Sequence, residues 1–167
     1  ELHRNFVEKQ LLLERLSVIL NTLPASVALL DTRGVVVEVN EAWKVFSDVN
    51  GFSDANYGIG TSYLTNSTQS FGDNEKDGKT ISEGISDILA GRSSQFEYEY
   101  SWHLTKLNRW FRIVVTPLKG MEFAGAVVMN MDISEIKRLE QERIESRIEE
   151  QKKITEAMLR GQEKERN

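Results

Sequence analysis

The chain has 167 residues, of which 40% are hydrophobic and 28% are charged, and its formal net charge is −5. This composition fits one globular domain with polar extensions, and the negative charge without a basic patch argues against a nucleic-acid-binding surface. The sequence has no cysteine, which excludes disulfides, thiolate catalysis and the usual zinc sites. No run of about twenty apolar residues occurs, so we expect no segment that spans a membrane and no membrane contact by this chain. A chain without cysteine is compatible with the cytosol, and we expect a cytoplasmic location.

Residues 1–22 are predicted to form an amphipathic helix that ends before Pro24. Apolar residues follow one another in alternating steps of four and three, and only Lys9 interrupts the stripe. Five of them are predicted to lie in a dimer interface: Leu2, Phe6, Leu13, Leu16 and Leu20. Because further apolar residues widen the stripe, we expect this helix both to cover a sheet and to meet a second copy of the chain.

Residues 23–132 show a mixed helix and strand pattern of ordinary domain size. The runs 27–30 and 35–39 predict a β-hairpin closed by the turn at residues 31–34. Asn40 is predicted to cap a short helix with a single apolar stripe. That stripe comprises Ala42, Val45, Phe46 and Val49.

The segment 52–79 is rich in Gly, Asn, Ser and Asp, which predicts loop and short helical turns. Residues 80–90 then place Ile81, Ile85, Ile88 and Leu89 at helical spacing.

Three more strands are predicted to follow. Aromatic residues alternate with glutamates over residues 96–102, which predicts a strand covered on one face. The strand predicted at 109–118 is apolar on both faces and should be central, whereas that at 124–131 begins with small residues that allow close approach.

Residues 133–167 predict a long helix with little apolar surface. Residues 135–167 include nine acidic and nine basic side chains, with Ile144 and Ile148 in an incomplete heptad seam. Asp132 is a natural N-cap and Glu135 follows three positions later, which predicts a capping box. Asp132, Ile133, Ser134 and Glu135 are therefore predicted to form a stiff, directional junction between the strand and the helix. The helix either packs against its own domain or, as we favour, pairs with a second copy.

The order of these elements and several short strings resemble the PAS sensor domain over about two thirds of the chain. The strings are Asp31-Thr32-Arg33-Gly34, Val39-Asn40-x-Ala42, Gly60-Thr61-Ser62-Tyr63-Leu64, the segment 84–91, Arg109-Trp110-Phe111, Thr116-Pro117-Leu118 and Met131-Asp132-Ile133-Ser134. The resemblance implies an α+β fold in which a five-stranded antiparallel sheet carries short helices on one face. Long helices would flank this domain at residues 1–22 and 133–167.

Residues 160–166 are similar to the start of the dimerisation helix that precedes the phosphoacceptor histidine of bacterial sensor histidine kinases. The resemblance thus implies a homodimeric signal-input module whose last helix couples to a kinase domain in the same chain. In such a module the signal relay would be the junction formed by Asp132, Ile133, Ser134 and Glu135. The parent protein would be a histidine kinase, while this fragment would be no enzyme. Whether the parent carries a membrane anchor stays open.

The absence of cysteine excludes the covalent flavin chemistry of light-sensing relatives. The helix at 80–91 lacks the histidine that haem-binding relatives use, which disfavours histidine-ligated haem. His103 is interpreted as a polar residue at a strand end. The alternating aromatic residues from Phe96 to Phe111 either line a cavity or simply pack.

The ligand is unknown, and the domain would hold either none or a small, weakly polar one. The residues predicted to line a pocket between the sheet and the helices are Phe46, Ile85, Leu89, Phe111, Ile113 and Val128.

Three classes of function follow: a sensor module, a ligand-free dimerisation scaffold of the same kinase, and an enzyme. The sequence shows no phosphate-binding glycine loop, no nucleophile–base pair and no metal-ligand spacing, so no catalytic or metal-binding residue is predicted. Four acidic residues are interpreted as solvated because their spacing does not match a calcium loop: Asp54, Asp73, Glu75 and Asp77.

Overall fold

The structure is a computed structural model. It describes the chain except residues 53–55, 71, 72, 74, 105, 106, 121, 122 and 167, and it describes the backbone alone for residues 67–70. Two compact units are present, Glu1–Asp132 and Ile133–Asn167, so the first helix belongs to the same unit as the sheet.

The elements alternate as the sequence predicts, with two strands before three helices and three strands after them. In chain order they are α1 (Leu2–Thr22), β1 (Ser26–Asp31), β2 (Val36–Val39), α2 (Glu41–Val49), α3 (Tyr63–Ser70), α4 (Glu75–Leu89), β3 (Phe96–Leu104), β4 (Leu107–Lys119), β5 (Ala124–Asp132) and α5 (Ser134–Arg166).

The five strands form one antiparallel sheet in the order β2-β1-β5-β4-β3. The last strand in the chain therefore inserts beside the first. Its close fit depends on Gly125, where an added Cβ would lie 1.9 Å from the carbonyl oxygen of Leu30. Of the residues that the structure describes, none forms a helix long and apolar enough to cross a membrane.

One face of the sheet carries the core. Along β4 the side chains of Phe111, Ile113 and Val115 are buried, while the intervening Arg112 and Val114 are half-buried, as expected from the two-residue period of a strand. Buried side chains from α3 and α4 complete this core: Tyr63, Ile81, Ile85 and Ile88. The α+β fold with a five-stranded antiparallel sheet is confirmed.

The end of α1 is attached to the sheet and to α2 through Asn40. Its amide nitrogen donates to the carbonyl oxygens of Leu20 and Ala25, at 2.9 Å each. Its amide oxygen accepts from the backbone N–H of Val27 at 2.9 Å and of Trp43 at 3.1 Å. The predicted cap of α2 is thus confirmed, and the same side chain also joins two other elements.

No residue of α1 is buried, which differs from the prediction that this helix covers a sheet. An open groove of about 390 Å³ instead separates α1 from β1 and β2. Its apolar lining comprises Leu13, Leu16, Leu20, Val27, Leu29 and Val39.

Two helices differ from their predicted form. The helix α4 begins at Glu75, so part of the predicted loop is helical, and Asp77 and Gly78 are buried in its first turns. In α2 the predicted apolar stripe is wrong, because Val45 and Val49 are exposed while the half-buried Trp43 packs against the core. Tertiary packing here overrides the local pattern.

The second unit consists of α5, which has 33 residues, none of them buried. Its length is about 50 Å at the usual helical rise. Arg138 pairs with both Glu135 and Glu142, and Lys153 pairs with Glu149 at 3.9 Å, one turn away. Such exposed pairs add only ~0.3 kcal/mol each, so they do not make an isolated helix of this length robust.

Candidate functional site

A cavity of about 190 Å³ lies between α2, the turn that follows it and the inner face of the sheet. Its ten lining residues carry no formal charge, and five of them are aromatic. The aromatic members are Trp43, Phe46, Phe52, Tyr57 and Trp102, and the others are Ser26, Ser47, Gly58, Asn66 and Asn130.

Three rings form one wall of the cavity. The ring centroids of Phe46 and Phe52 lie 6.0 Å apart, and Trp102 lies 5.5 Å from Phe52 and 6.1 Å from Phe46. Phe111 supports this wall from the core, with its centroid 5.7 Å from that of Phe46 in an edge-to-face arrangement. Ring pairs at these separations attract one another, so the wall is held in place by its own contacts.

Trp43 and Tyr57 also line the cavity and are linked to each other. The indole Nε1 of Trp43 donates to the carbonyl oxygen of Tyr57 at 3.0 Å. The backbone of Tyr57 has a positive φ of 55°, a left-handed conformation that is uncommon for a residue with a side chain. A residue held in this way beside a cavity is typical of a binding site, where packing maintains local strain.

The polar group at the sheet side is Asn130, which is 8% exposed. The hydroxyl of Tyr100 donates to its amide oxygen at 3.1 Å, and its amide nitrogen donates back to the hydroxyl at 2.9 Å. Burial raises the pKa of Tyr100 far above its ordinary value, so the hydroxyl keeps its proton across the physiological range. The pair therefore presents a fixed, neutral polar edge.

The six residues predicted to line a pocket do not line one cavity together in the structure. Phe46 lines the cavity, whereas Ile85, Ile113 and Val128 are fully buried in the packed core. Phe111 is buried behind the aromatic wall, and Leu89 is half-buried beside Gly34.

Sequence reasoning missed Trp43, Phe52, Tyr57 and Asn130 as cavity residues. The sequence did contain a signal for Asn130. It follows Ala126 and Val128 at every second position of β5, on the buried face, and a polar side chain on a buried face needs a hydrogen-bond partner. Trp102, one of the alternating aromatic residues of the predicted strand at 96–102, lines the cavity.

The predicted relay residues lie where β5 ends and α5 begins. Asp132 is the last residue of β5, and its carboxylate accepts from the guanidinium of Arg109 at 3.0 Å. Ile133 follows, with its carbonyl oxygen accepting from the backbone N–H of Lys137 at 2.9 Å, and Ser134 begins the helix. The carboxylate of Glu135 binds Arg138, which lowers the pKa of Glu135. The predicted capping box stays a prediction.

The predicted interface residues are all exposed in the single chain. The exposed fraction is 48% for Leu16, 51% for Leu13 and 59% for Ile148. Leu2, Phe6, Leu20 and Ile144 are likewise exposed. Whether they meet a second copy stays a prediction.

Two of the acidic residues predicted to be solvated, Asp73 and Asp77, make hydrogen bonds. The carboxylate of Asp73 accepts from the backbone N–H of His103 at 2.7 Å, from Ser101 at 3.1 Å, and contacts His103 Nδ1 at 2.9 Å. Partial burial alone would raise the pKa of Asp73, but these contacts together lower it.

Asp77 is buried and accepts from the hydroxyl of Tyr98 at 2.7 Å, a bond that raises the pKa of Tyr98. Glu75 is exposed at the start of α4, and Asp54 lies outside the described residues. Within the described part of the chain, no group of three His, Cys, Asp or Glu side chains could hold a metal ion.

No family model matches the chain. It is 33% identical over 126 residues to an uncharacterized 104.1 kDa protein in the hypE 3′ region of Rhodobacter capsulatus. That match covers 73% of this chain and 13% of the relative, so the chain spans a small part of the length of that protein.

Solved structures with a similar fold include PAS domains. The PAS domain of an HTR-like protein from Haloarcula marismortui matches with a TM-score of 0.53 and 17% identity, over 78% of this chain and 99% of that one. The sensor region of a sensor histidine kinase matches with a TM-score of 0.52 and 18% identity, over 67% and 40%. A phage VqmA–DPO complex matches with a TM-score of 0.55 and 16% identity, over 82% and 60%. The chain therefore has the PAS fold.

Proposed function

We propose that this chain is the signal-input and dimerisation module of a two-component sensor histidine kinase. The observation that carries the proposal is the direct succession of β5 and α5, in which one residue, Ile133, separates the sheet from a 33-residue helix with no buried residue. A helix of this kind has no partner within its own unit and suits an output element. The sensor region of a histidine kinase among the similar structures supports this context.

The partner that suits α1 and α5 is a second copy of the chain. Both helices expose apolar residues at heptad spacing, and a long helix without packing is only marginally stable in water. The seam of α5 also contains Gln151 and Thr155, so its pairing would be weak enough to change register or rotation. A marginal coiled coil of this kind can switch between two packings that differ by a few kcal/mol.

Asp132 is the proposed relay residue. Its carboxylate holds Arg109 of β4 at 3.0 Å, and it is the last residue of the strand that carries Asn130. A shift of β5 would therefore move Asp132 and alter the start of the output helix. The proposed role of Asp132 is to couple the sheet to the helix, since it is not among the residues that line the cavity.

The test is the substitution Asp132→Ala in the full-length parent protein, with autophosphorylation by ATP as the readout. We expect the basal rate to change several-fold and to lose its response to the natural stimulus, while the module stays folded at a cost of ~1 kcal/mol. The matched control is Glu99→Ala, which removes another strand carboxylate paired with an arginine of β4, Arg112, at 2.6 Å. Its regulation should be normal.

Normal regulation in Asp132→Ala would remove this residue from the mechanism. A full-length protein that incorporates no phosphate from ATP would contradict the kinase context itself. An output domain that binds DNA instead of ATP would appear in the same assay as absent phosphorylation.

The predicted lack of nucleic-acid contact and the predicted cytoplasmic location also stay predictions.

A ligand-free dimerisation scaffold is the second candidate function. The closed packing of Ile85, Ile113 and Val128, each 0% exposed, favours it, because the centre of the domain has no room for a ligand. Native mass spectrometry of protein purified from cells separates the two candidates. A dimer with a reproducible small adduct supports the sensor, a dimer without one supports the scaffold, and a monomer contradicts both.

A further inference from the structure

The cavity described above differs from the packed core in its chemistry. The core of buried residues is mainly aliphatic, with Tyr63, Tyr100 and Phe111 as its aromatic members, whereas the cavity is lined by five aromatic rings, two serines, two asparagines and a glycine. None of these ten residues is an acid or a base. A buried charge without a partner is costly, so a lining of this kind favours an uncharged ligand.

The arrangement of the rings also argues against an organic cation. Aromatic cages hold a cation over ring faces at up to about 6 Å from each centroid. Here Phe46, Phe52 and Trp102 already lie 5.5–6.1 Å from one another, so no cation fits among these three rings. A flat molecule can instead lie against the wall that they form, since offset stacking between planar groups is favourable.

The size of the cavity sets the size of the ligand. An apolar cavity of about 150 Å³ holds one benzene molecule. This cavity of about 190 Å³ therefore accommodates a single ring with one or two small substituents.

The side-chain amide of Asn130 is the group that can form hydrogen bonds with polar atoms of a ligand. A carboxamide offers two N–H donors and two acceptor lone pairs. Within the described part of the chain, both side-chain hydrogen bonds of Asn130 involve the hydroxyl of Tyr100, and they use one donor and one acceptor position. One N–H and one lone pair therefore remain on an amide that is buried and lines the cavity. This donor–acceptor edge matches a ligand edge that carries an acceptor beside a donor.

We propose that the cavity binds a small, uncharged, planar heterocycle that presents one donor and one acceptor to Asn130 while its face lies against Phe52 and Trp102. This inference rests on the proposed function as a sensor and names the ligand class of its site. Lactam-type rings have this edge.

The test uses tryptophan fluorescence, because two of the three tryptophans, Trp43 and Trp102, line the cavity. The substitution Trp110→Phe removes the third, which lies on β4 outside the cavity. The probe is 2-pyridone, whose ring carries an N–H beside a carbonyl. N-methyl-2-pyridone removes the donor, toluene removes both polar groups, and tetramethylammonium chloride tests the cation alternative.

We expect 2-pyridone to change the fluorescence saturably, with N-methyl-2-pyridone and toluene each weaker by about tenfold, as the loss of a buried hydrogen bond predicts. Asn130→Ala should remove the preference for 2-pyridone over toluene. Because this variant also affects Tyr100 and could unfold, Phe52→Ala provides a second one, in which all ring probes should weaken together. Val45→Ala, on the exposed side of α2, is the control and should bind normally.

Tighter binding of toluene than of 2-pyridone, or saturable binding of tetramethylammonium, would overturn the ligand class while leaving the sensor function intact. Absence of binding by every probe would overturn the inference, and the phosphorylation assay would then decide the proposed function by itself. A preference for 2-pyridone that persists in Asn130→Ala would remove Asn130 from recognition.

Discussion

Asn40 carries more of the fold than its position before a short helix indicates. All four hydrogen-bonding positions of its amide are used, two as donors and two as acceptors. They connect the end of α1, the start of β1 and the first turn of α2. One buried side chain therefore fixes the meeting point of three elements.

Replacing Asn40 by Ala should destabilise the chain by roughly 3 kcal/mol, because backbone groups that are now paired lose their partners and α2 loses its cap. Urea unfolding followed by circular dichroism measures the change. Asn50→Ala is the control. The side-chain amide of Asn50 donates one hydrogen bond, to the carbonyl oxygen of Phe46 at 2.8 Å, at the other end of α2. A loss as small as that of Asn50→Ala would contradict the role of Asn40.

Gly125 is required by close contact between strands. A Cβ at this position would overlap the carbonyl oxygen of Leu30, a backbone atom that cannot move aside without breaking the pairing of β1 and β5. We expect Gly125→Ala to cost about 3 kcal/mol in the free energy of unfolding. The control is Gly161→Ala in α5, where the new methyl group meets open space and alanine favours the helix by about 1 kcal/mol. Equal effects on thermal unfolding would refute the steric argument.

Asp73 makes the stability depend on pH in the acid range. Its folded pKa is lower than the usual value near 3.9, so the folded state favours the charged carboxylate. This contribution is complete above the unfolded pKa and is lost as the pH falls through the lowered one. Asp73→Asn should therefore be less stable than the parent chain at pH 7, and the difference should shrink below about pH 4. A difference that stays constant to pH 2 would exclude this linkage.

At the scale of elements, α1 is the clearest candidate for contact with a second copy. The substitutions Leu13→Glu and Leu16→Glu together place charges in its heptad seam and should convert a dimer into a monomer, which light scattering after gel filtration would detect. Val18→Glu is the matched control, because Val18 is 56% exposed but lies on the opposite side of the heptad. Loss of the dimer in the control, or its retention in the double variant, would contradict the assignment.

The elements also show which information the sequence contains. The hairpin of β1 and β2 and the close approach at β5 were predicted, because turn residues and small residues are local signals. The strand predicted to be central, β4, lies between β5 and the edge strand β3, and the middle strand is β5. The early start of α4 was missed, since Asp77 and Gly78 are poor indicators of a helix and are buried there by contacts with the rest of the domain. The error in α2 has the same origin, because Trp43 packs against the core instead of Val45.

For the whole molecule, the fold was predictable and the cavity was not. The order of helices and strands is confirmed, and of the predicted pocket residues Phe46 lies at the cavity. Ile85, Ile113 and Val128 were expected to line the same cavity, but each of them is fully buried in the packed core. Whether side chains leave a space depends on how their volumes interlock in three dimensions, and periodicity along the chain does not encode this.

In the proposed sensor, the position of Asn130 sets the distance over which a signal has to pass through the sheet. This residue borders the cavity and Asp132 ends the same strand two residues later, about 7 Å away at the usual rise of a strand. The even spacing also places both side chains on one face. A ligand that displaces Asn130 would thus move Asp132, at the end of β5, through two peptide units of the same strand. This movement needs no rearrangement of the closed core.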